Sequence, residues 1–341
     1  MFITNKKKHL ASILDNLGIT RLAAKLPRQP QLFVFNYHRI GATYDNPYDD
    51  AVFSATAEEL RTQMLFIRRY FDLPPLNDIV AAVASNSHIK RPTALVTFDD
   101  GYRDNYELAF PILKSCKVPA VFFVPTDFVD RPSLPWWDRI AFVVKQSRTD
   151  IIEMKFPEQI AFDLRTTPRK HVVKKILDLY KQHRGRDEQK FISHLEEQAK
   201  ISPPPHVLAH RWIITWDEIR NMISAGMSIG SHTHTHGILG GMDEATQARE
   251  LRESKTILER ETGQPITTLA YPVGSTTAFN EITKRLAKEI GYSLAFSYYG
   301  GVNWPEHTDP FDIRRIGVEA NESMSLFRTK TVFNSLLGKA F

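Results

Sequence analysis

The sequence predicts one large α/β domain of the barrel type, on three observations. From residue 31 onward, short apolar runs that read as buried parallel strands alternate with helical patterns. A length of 341 residues exceeds what one hydrophobic core usually organises, yet α/β barrels reach it as a single domain. Hydrophobic residues at 42% and charged residues at 24% lie near the globular average, which excludes disordered and fibrous classes.

Residues 1–30 read as an N-terminal helical extension. Leu10, Ile13, Leu14, Leu17, Ile19, Leu22 and Ala24 line one side of an amphipathic helix. That side either docks on the domain, the simpler expectation, or makes peripheral contact with an anionic membrane surface. Lys6-Lys7-Lys8 is followed by a stretch broken by Asp15, Asn16, Arg21 and Lys25, so no continuous signal-peptide core is present. No apolar run approaches the roughly 18 residues of a spanning helix. The expected location is therefore cytoplasmic, with the inner face of the membrane as the peripheral alternative.

The barrel is expected over residues 31–341. Residues 31–38 form an apolar run ending in Tyr37-His38, the first strand. Residues 54–71 read as a helix, with Glu58 and Glu59 in the first turn and Leu60, Met64, Leu65 and Ile67 at helical spacing. A second strand at 94–98, a helix at 105–114 and a third strand at 120–124, bounded by Pro119 and Pro125, continue the alternation. Strands at 227–230, 268–271, 292–296 and 313–318, with a helix at 281–290, bring the strand total to seven. Between Trp136-Trp137-Asp138 and Trp216 the texture changes to a charge-rich, glycine-poor segment containing Pro203-Pro204-Pro205. It predicts a helical insertion over about 139–211. Thr167 is the expected cap and Pro168 the first helical position, with Gly185 the stop; a second helix covers 187–200.

The net charge of +5 comes from lysines and arginines spread along the chain, with Lys6-Lys7-Lys8 the one cluster, so no nucleic-acid partner is expected. The single cysteine, Cys116, excludes an intramolecular disulfide.

Thr97-Phe98-Asp99-Asp100-Gly101 ends a strand where parallel folds place polar groups in the crevice beyond the sheet. Consecutive side chains on a strand diverge, so one carboxylate can ligate a cation while the other acts as a base; taken alone, the run is also an ordinary turn. His232 and His236 are four apart and can present two imidazoles to one point. With Asp100 they supply two nitrogens and one oxygen, leaving positions for water and substrate as in a catalytic metal centre. A site of His232, His234 and His236 is the alternative; a turn after Thr233 aims His234 elsewhere and favours Asp100. The expected cofactor is one divalent ion, zinc first, with cobalt or nickel as alternatives.

These residues resemble the polysaccharide deacetylases of carbohydrate esterase family four. The Thr97 to Gly101 run is similar to that family's first motif and His232-Thr233-x-x-His236 to its second, and the likeness covers roughly residues 32–318. The resemblance implies a distorted barrel of about seven β/α units with the metal at the strand ends. It implies Asp99 as catalytic base and Asp100, His232 and His236 as metal ligands. Leu269-Ala270-Tyr271-Pro272-Val273-Gly274 is similar to the third motif and implies the Val273 backbone N–H as oxyanion donor, with Tyr271 in the substrate-binding set. Ala270 departs from the arginine that many members use to orient the base; Arg315, ahead of Arg314, is the candidate replacement. The late histidine that acts as general acid in the family has no clear counterpart. His307, the only histidine after the metal motif, is the candidate for that role, whereas His38 ends the first strand, should face the same crevice and belongs to the expected substrate-binding set. Trp136, Trp137 and Asp138 suit a sugar-binding platform, or else seal the insertion against the barrel.

The expected function is metal-dependent removal of N-acetyl groups from an amino-sugar polysaccharide or its oligomeric or lipid-linked precursor. Exopolysaccharide, capsule or envelope biosynthesis is the expected setting. The alternatives are hydrolysis of an O-acetyl ester or non-sugar amide on the same scaffold, and a catalytically weakened glycan-binding protein.

Overall fold

Seven parallel strands form the scaffold of the computed structural model, which describes residues 5–23, 30–43, 46–85, 89–201, 212–304 and 307–337. They are β1 (Leu32–Tyr37), β2 (Thr93–Phe98), β3 (Ala120–Val124), β4 (Ser228–Ser231), β5 (Thr268–Ala270), β6 (Leu294–Phe296) and β7 (Ile316–Gly317). Their order is β6-β5-β4-β3-β2-β1-β7. The last strand returns to the far side of β1, pairing Phe35 with Ile316 and Asn36 with Gly317. A bridge from Phe296 to Ile313 sets the segment before β7 alongside β6 as well, so residues 313–317 close the curled sheet into a distorted barrel.

The strands are apolar on both faces, as a sheet covered on both sides requires. Leu32, Val34, Leu95, Val121, Phe123, Phe296 and Ile313 share one cluster. Side chains alternate along a strand, so the face that holds Val34 continues to Asn36, and the face that holds Leu95 continues to Thr97 and Asp99. That face therefore turns from apolar to polar toward the strand C-termini, the end where such barrels build their sites. Gly230 on β4 makes room for this packing: a Cβ there would lie 2.4 Å from the Phe123 ring. The opposite face, including Phe33, Phe35, Tyr37, Phe98 and Phe122, joins the surrounding helices in the main core.

The helices start where their caps dictate. Thr56 and Glu59 form a reciprocal capping box before Ala57–Tyr70, Thr215 and Glu218 one before Trp216–Ser224, and Asn280 caps Glu281–Ile290. Helices α1 (Asn5–Asn16), α2 (Glu244–Thr262) and α3 (Met324–Leu337) matter below.

The segment expected to be a helical insertion carries helices Trp136–Lys145, Arg169–Gln182 and Glu188–Ala199, but also an antiparallel hairpin, Ile151–Met154 with Ile160–Asp163. Only Ile152, Met154 and Phe162 of the hairpin are buried, so its alternation is too short to stand out from an amphipathic helix. Pro168 serves as the cap and Arg169 opens the helix, one residue later than the spacing predicts. Gly185, at φ +64°, follows the helix as expected. Pro203-Pro204-Pro205 and Ala24 lie outside the described residues.

The N-terminal helix docks, though not by its apolar stripe. Ala11 and Asp15 of α1 are buried. Asp15 accepts hydrogen bonds from Thr20, from Ser325 Oγ at 3.1 Å and from Arg328 Nη1 at 2.6 Å, the last two on α3. Leu10, Ile13, Leu17, Ile19 and Leu22 remain 44–69% exposed. No helix among the described residues is long and apolar enough to cross a membrane.

Candidate active site

The chain bends sharply at the end of β2. Asp100 and Gly101 both adopt positive φ, +74° and +66°, and the bend separates the two carboxylates. Asp100 Oδ1 lies 3.4 Å from His232 Nε2 and 3.2 Å from His236 Nε2. All three side chains are buried, and their ligand atoms lie within 4.8 Å of one another.

The donor set fits a divalent cation. His232 donates its Nδ1–H to Ala270 O at 2.8 Å, which turns Nε2 toward Asp100 and makes it the nitrogen on which a cation would replace the proton. Two imidazole nitrogens and one carboxylate oxygen converge, and three protein ligands leave positions open for a reacting group. Burial raises the Asp100 carboxyl, but hydrogen bonds from His232 and His236 outweigh it and hold it far below the usual range. Burial lowers His236, while at His232 the charges of Asp99 and Asp100 outweigh burial and raise it.

Asp99 occupies a separate setting beside this triad. Its Oδ1 accepts from Arg315 Nη1 at 2.8 Å and its Oδ2 from Asn36 Nδ2 at 3.3 Å. Asn36 Oδ1 in turn accepts from Thr97 Oγ1 at 2.7 Å and from Arg315 Nη1 at 2.8 Å, and Arg315 Nε donates to Ser297 O at 3.0 Å. Burial would raise Asp99, but Arg315, then His232 and His38, outweigh it and keep the carboxyl low. Arg315, one residue before β7, thus stands against Asp99; Arg314 is exposed and lies over the Tyr299 ring.

The family model for polysaccharide deacetylase matches residues 87–295, more than half of the chain. The chain belongs to the polysaccharide deacetylase family. One curated relative, named "Putative polysaccharide deacetylase YxkH", from Bacillus subtilis (strain 168), is 32% identical over 87 residues. That match spans 26% of this chain and 30% of the relative's length. Among solved structures, IcaB from Ammonifex degensii superposes with a TM-score of 0.58 at 18% identity, covering 90% of this chain and 98% of IcaB. The Streptococcus pyogenes deacetylase PplD gives 0.57 at 17%, with 90% and 97% covered. The deacetylase domain of BpsB from Bordetella bronchiseptica gives 0.52 at 21%, with 87% and 100% covered. At these identities the superpositions establish the fold.

Within this deacetylase-family barrel, four of the nine non-glycine residues with positive φ among the described residues are Asp100, Thr233, His236 and Val273. Backbone strain of this kind concentrates at functional sites. Val273, at φ +63°, precedes Gly274 at +61°, where a Cβ would lie 2.7 Å from Tyr298 N. No acceptor for the Val273 N–H appears among the described residues, as an oxyanion donor requires.

The remaining predicted residues divide. His38 reaches the site: its Nε2 is 3.9 Å from Asp99 Oδ2, its side chain is 21% exposed, and Tyr298 packs edge-on against its ring. His307 does not; it is exposed, its N–H bonds to Trp304 O, and no contact joins it to Asp99 among the described residues. Trp136, Trp137 and Asp138 are buried rather than presented as a platform. Trp136 packs on Tyr180 of the insertion, and the Trp137 ring lies 4.5 Å from the His236 ring. Trp137 Nε1 donates to the Tyr102 hydroxyl at 2.7 Å, that hydroxyl donates to Asp138 Oδ2 at 2.8 Å, and Asp138 Oδ1 accepts the Asp49 N–H at 2.9 Å. These residues seal the insertion to the barrel behind a metal-ligand candidate. Tyr271 is also buried, stacked on Phe279 and donating to Phe311 O at 2.9 Å.

Three residues escaped the sequence reading. Asn36 was detectable as the lone amide in an otherwise apolar strand. Tyr102 and Glu250 gave no signal, because each reaches the site region only through the fold.

Proposed function

We propose that this chain hydrolyses N-acetyl groups of an amino-sugar polysaccharide, or of its oligomeric or lipid-linked precursor, with one divalent cation, zinc, as cofactor. Exopolysaccharide, capsule or envelope biosynthesis is the proposed setting. The observation that carries the reading is Asp99, held ionised by Arg315 beside a convergent Asp100, His232 and His236 set. Family membership and deacetylases among the fold neighbours support it.

A cation held by the triad supplies Lewis acidity toward the acetamide carbonyl and makes water more acidic. Asp99 takes the proton of the attacking water at Oδ2, the oxygen not bonded to Arg315. A C–O bond forms, the carbonyl electron pair moves onto oxygen, and the Val273 N–H faces that charge. The pair on oxygen then re-forms the carbonyl as the C–N bond breaks, His38 gives a proton from Nε2 to the leaving nitrogen, and the products are a free amine and acetic acid, which loses its remaining proton to solvent as acetate. A carboxylate held as low as Asp99 does not retain a proton, and the 3.9 Å separation from His38 lets it reset the acid. Arg315 also supports catalysis over a purely glycan-binding role, because it supplies the base-orienting cation that Ala270 cannot.

The test is acetate release from N-acetylglucosamine oligomers and polymer by metal-loaded protein. Release by wild type and its loss in Asp99→Asn are expected; no release by wild type, with both proteins binding the glycans equally, sinks the deacetylase reading.

The proposal extends to location. Five of the nine exposed large hydrophobics among the described residues are Leu10, Ile13, Leu17, Ile19 and Leu22, in a sequence carrying Lys6-Lys7-Lys8, Arg21 and Lys25. An apolar stripe with basic neighbours suits an anionic bilayer surface. The full chain should sediment with phosphatidylglycerol vesicles, and Leu17→Gln with Leu22→Gln should release it; equal sedimentation of the variant counts against membrane contact.

A further inference from the structure

The loop between His232 and His236 has a conformational problem to solve. Both imidazoles must converge on Asp100 Oδ1, and the backbone manages this with Thr233 at φ +65° and His236 at φ +60°. Left-handed backbone is unfavourable for any residue with a Cβ, and more so for β-branched threonine. Local bonds help: His236 N–H donates to Thr233 Oγ1 and Thr233 N–H to Ser231 Oγ, both at 3.2 Å. On one side the loop is tied to residues 126–127. Thr126 N–H donates to Thr233 O at 3.3 Å, Asp127 N–H to His234 O at 2.9 Å, and Thr126 Oγ1 shares a 2.7 Å hydrogen bond with His234 Nδ1. His234 is therefore an anchor of the loop, turned away from the triad.

We propose that Glu250, on α2, is the positioning residue that sets the metal-binding geometry of this loop. Its Oε2 accepts the successive N–H groups of His234 at 3.0 Å and Thr235 at 2.8 Å, and its Oε1 accepts the Thr235 hydroxyl at 2.8 Å. The side chain is nearly sealed from solvent, at 4% exposure. No lysine or arginine pairs with it among the described residues. A buried carboxylate without a counter-cation persists where hydrogen-bond donors meet it, and here all three donors belong to the two residues between the ligand-bearing turns. Adjacent N–H groups form an anion-binding nest, and charge-assisted bonds to it are about twice as strong as neutral ones. Glu250 contacts neither imidazole; it fixes the backbone from which both are presented.

This inference rests on the reading that Asp100, His232 and His236 hold a divalent cation. Its test measures zinc affinity of the full, metal-stripped chain by competition with a chromophoric chelator, alongside thermal melting of the metal-free and zinc-loaded forms. Glu250→Ala should weaken zinc binding about 10–100-fold, the range for residues that orient metal ligands, and shrink the zinc-induced rise in melting temperature. Glu250→Gln keeps an oxygen for the two N–H groups and should restore most of the affinity. Thr235→Val removes one of the three bonds in a minimal change and should cost a few-fold, which keeps the test decisive should Glu250→Ala fail to fold. A role in stability alone predicts lower melting of the metal-free variants with zinc affinity unchanged, and that result overturns the proposal. Wild type that binds no zinc overturns the metal reading and this inference together; wild-type binding with no change in the variants overturns the inference alone.

Discussion

Replacing Arg315 with methionine removes the cation against Asp99 while roughly preserving volume. Three acceptor atoms lose a hydrogen bond and two aromatic rings lose a cation. Asp99 Oδ1 and Asn36 Oδ1 each lose a 2.8 Å bond, Ser297 O loses one at 3.0 Å, and the guanidinium no longer lies over Phe123 and Tyr298 at 5.8 and 5.7 Å. Breaking a buried ion pair by removing one partner costs about 3–5 kcal/mol, because the other charge stays buried and unpaired. Denaturant unfolding at neutral pH should show a loss of that order. The sign of the pH effect follows from the direction of the Asp99 shift. Its folded-state pKa lies below the unfolded one, so the pair's stabilisation is present above the unfolded value and lost as pH falls through the folded value. Without Arg315, burial is left as the largest influence on Asp99 and its pKa rises. The acid limb of kcat/KM should then move to higher pH, and kcat/KM should fall about 10²-fold at neutral pH, the lower end of general-base contributions. Arg315→Lys should recover charge but not the multi-point geometry, and so only part of the rate. An Arg315→Met enzyme with wild-type kcat/KM and an unmoved acid limb refutes the assignment of Arg315 as orienter of Asp99.

Stripping the metal with a chelator should abolish acetate release and lower the melting temperature, both restored by zinc, cobalt or nickel; undiminished activity of metal-free protein contradicts metal dependence. His38→Asn should lower kcat about 10²-fold while His307→Ala, on the surface, leaves it within about twofold; the reverse ranking would move the general acid to His307. Burial pushes the Asp138 carboxyl up to about 7 from 3.8. A folded pKa above the unfolded one means that stability is fully present below the unfolded value and is lost as pH rises through the folded value. Between pH 4 and pH 7 wild type should therefore lose up to about 4 kcal/mol relative to Asp138→Asn, from roughly three pKa units at 1.36 kcal/mol each. Parallel stability curves for the two proteins across that range refute the buried, protonated Asp138.

The scaffold was legible because its signals are local. An apolar run such as 120–124 between two prolines can hardly be anything but a buried strand, and the observed β3 has the same bounds. The metal-ligand candidates were legible for the same reason: Asp99-Asp100 and His232-x-x-x-His236 are each short, and each sits at a strand end. What sequence left open was set by packing between distant segments. Trp137 resembles an exposed sugar platform until the insertion helices cover it and its indole turns to His236. His38 is the better placed of the two histidines on paper, at a strand end, and its Nε2 lies beside Asp99, whereas nothing in sequence alone rules out His307 folding back to the site. The 151–163 hairpin contributes three buried side chains, too few for a period. Arg315 was reachable only through the resemblance, which sets Ala270 where an arginine is expected and sends the search to the last strand. Asn36 stands out as the lone amide of an apolar strand, but its bonds to both Arg315 and Asp99 follow only from the pairing of β1 and β2 in register.

The most direct test of the metal centre is anomalous diffraction at the zinc edge from crystals of the full chain grown with zinc. One peak bonded to Asp100, His232 Nε2 and His236 Nε2, with Asp99 outside bonding distance and still paired with Arg315, is the predicted result. A peak bonded to Asp99 or His234 in place of Asp100, or none at this position, contradicts the division of labour between the two adjacent aspartates.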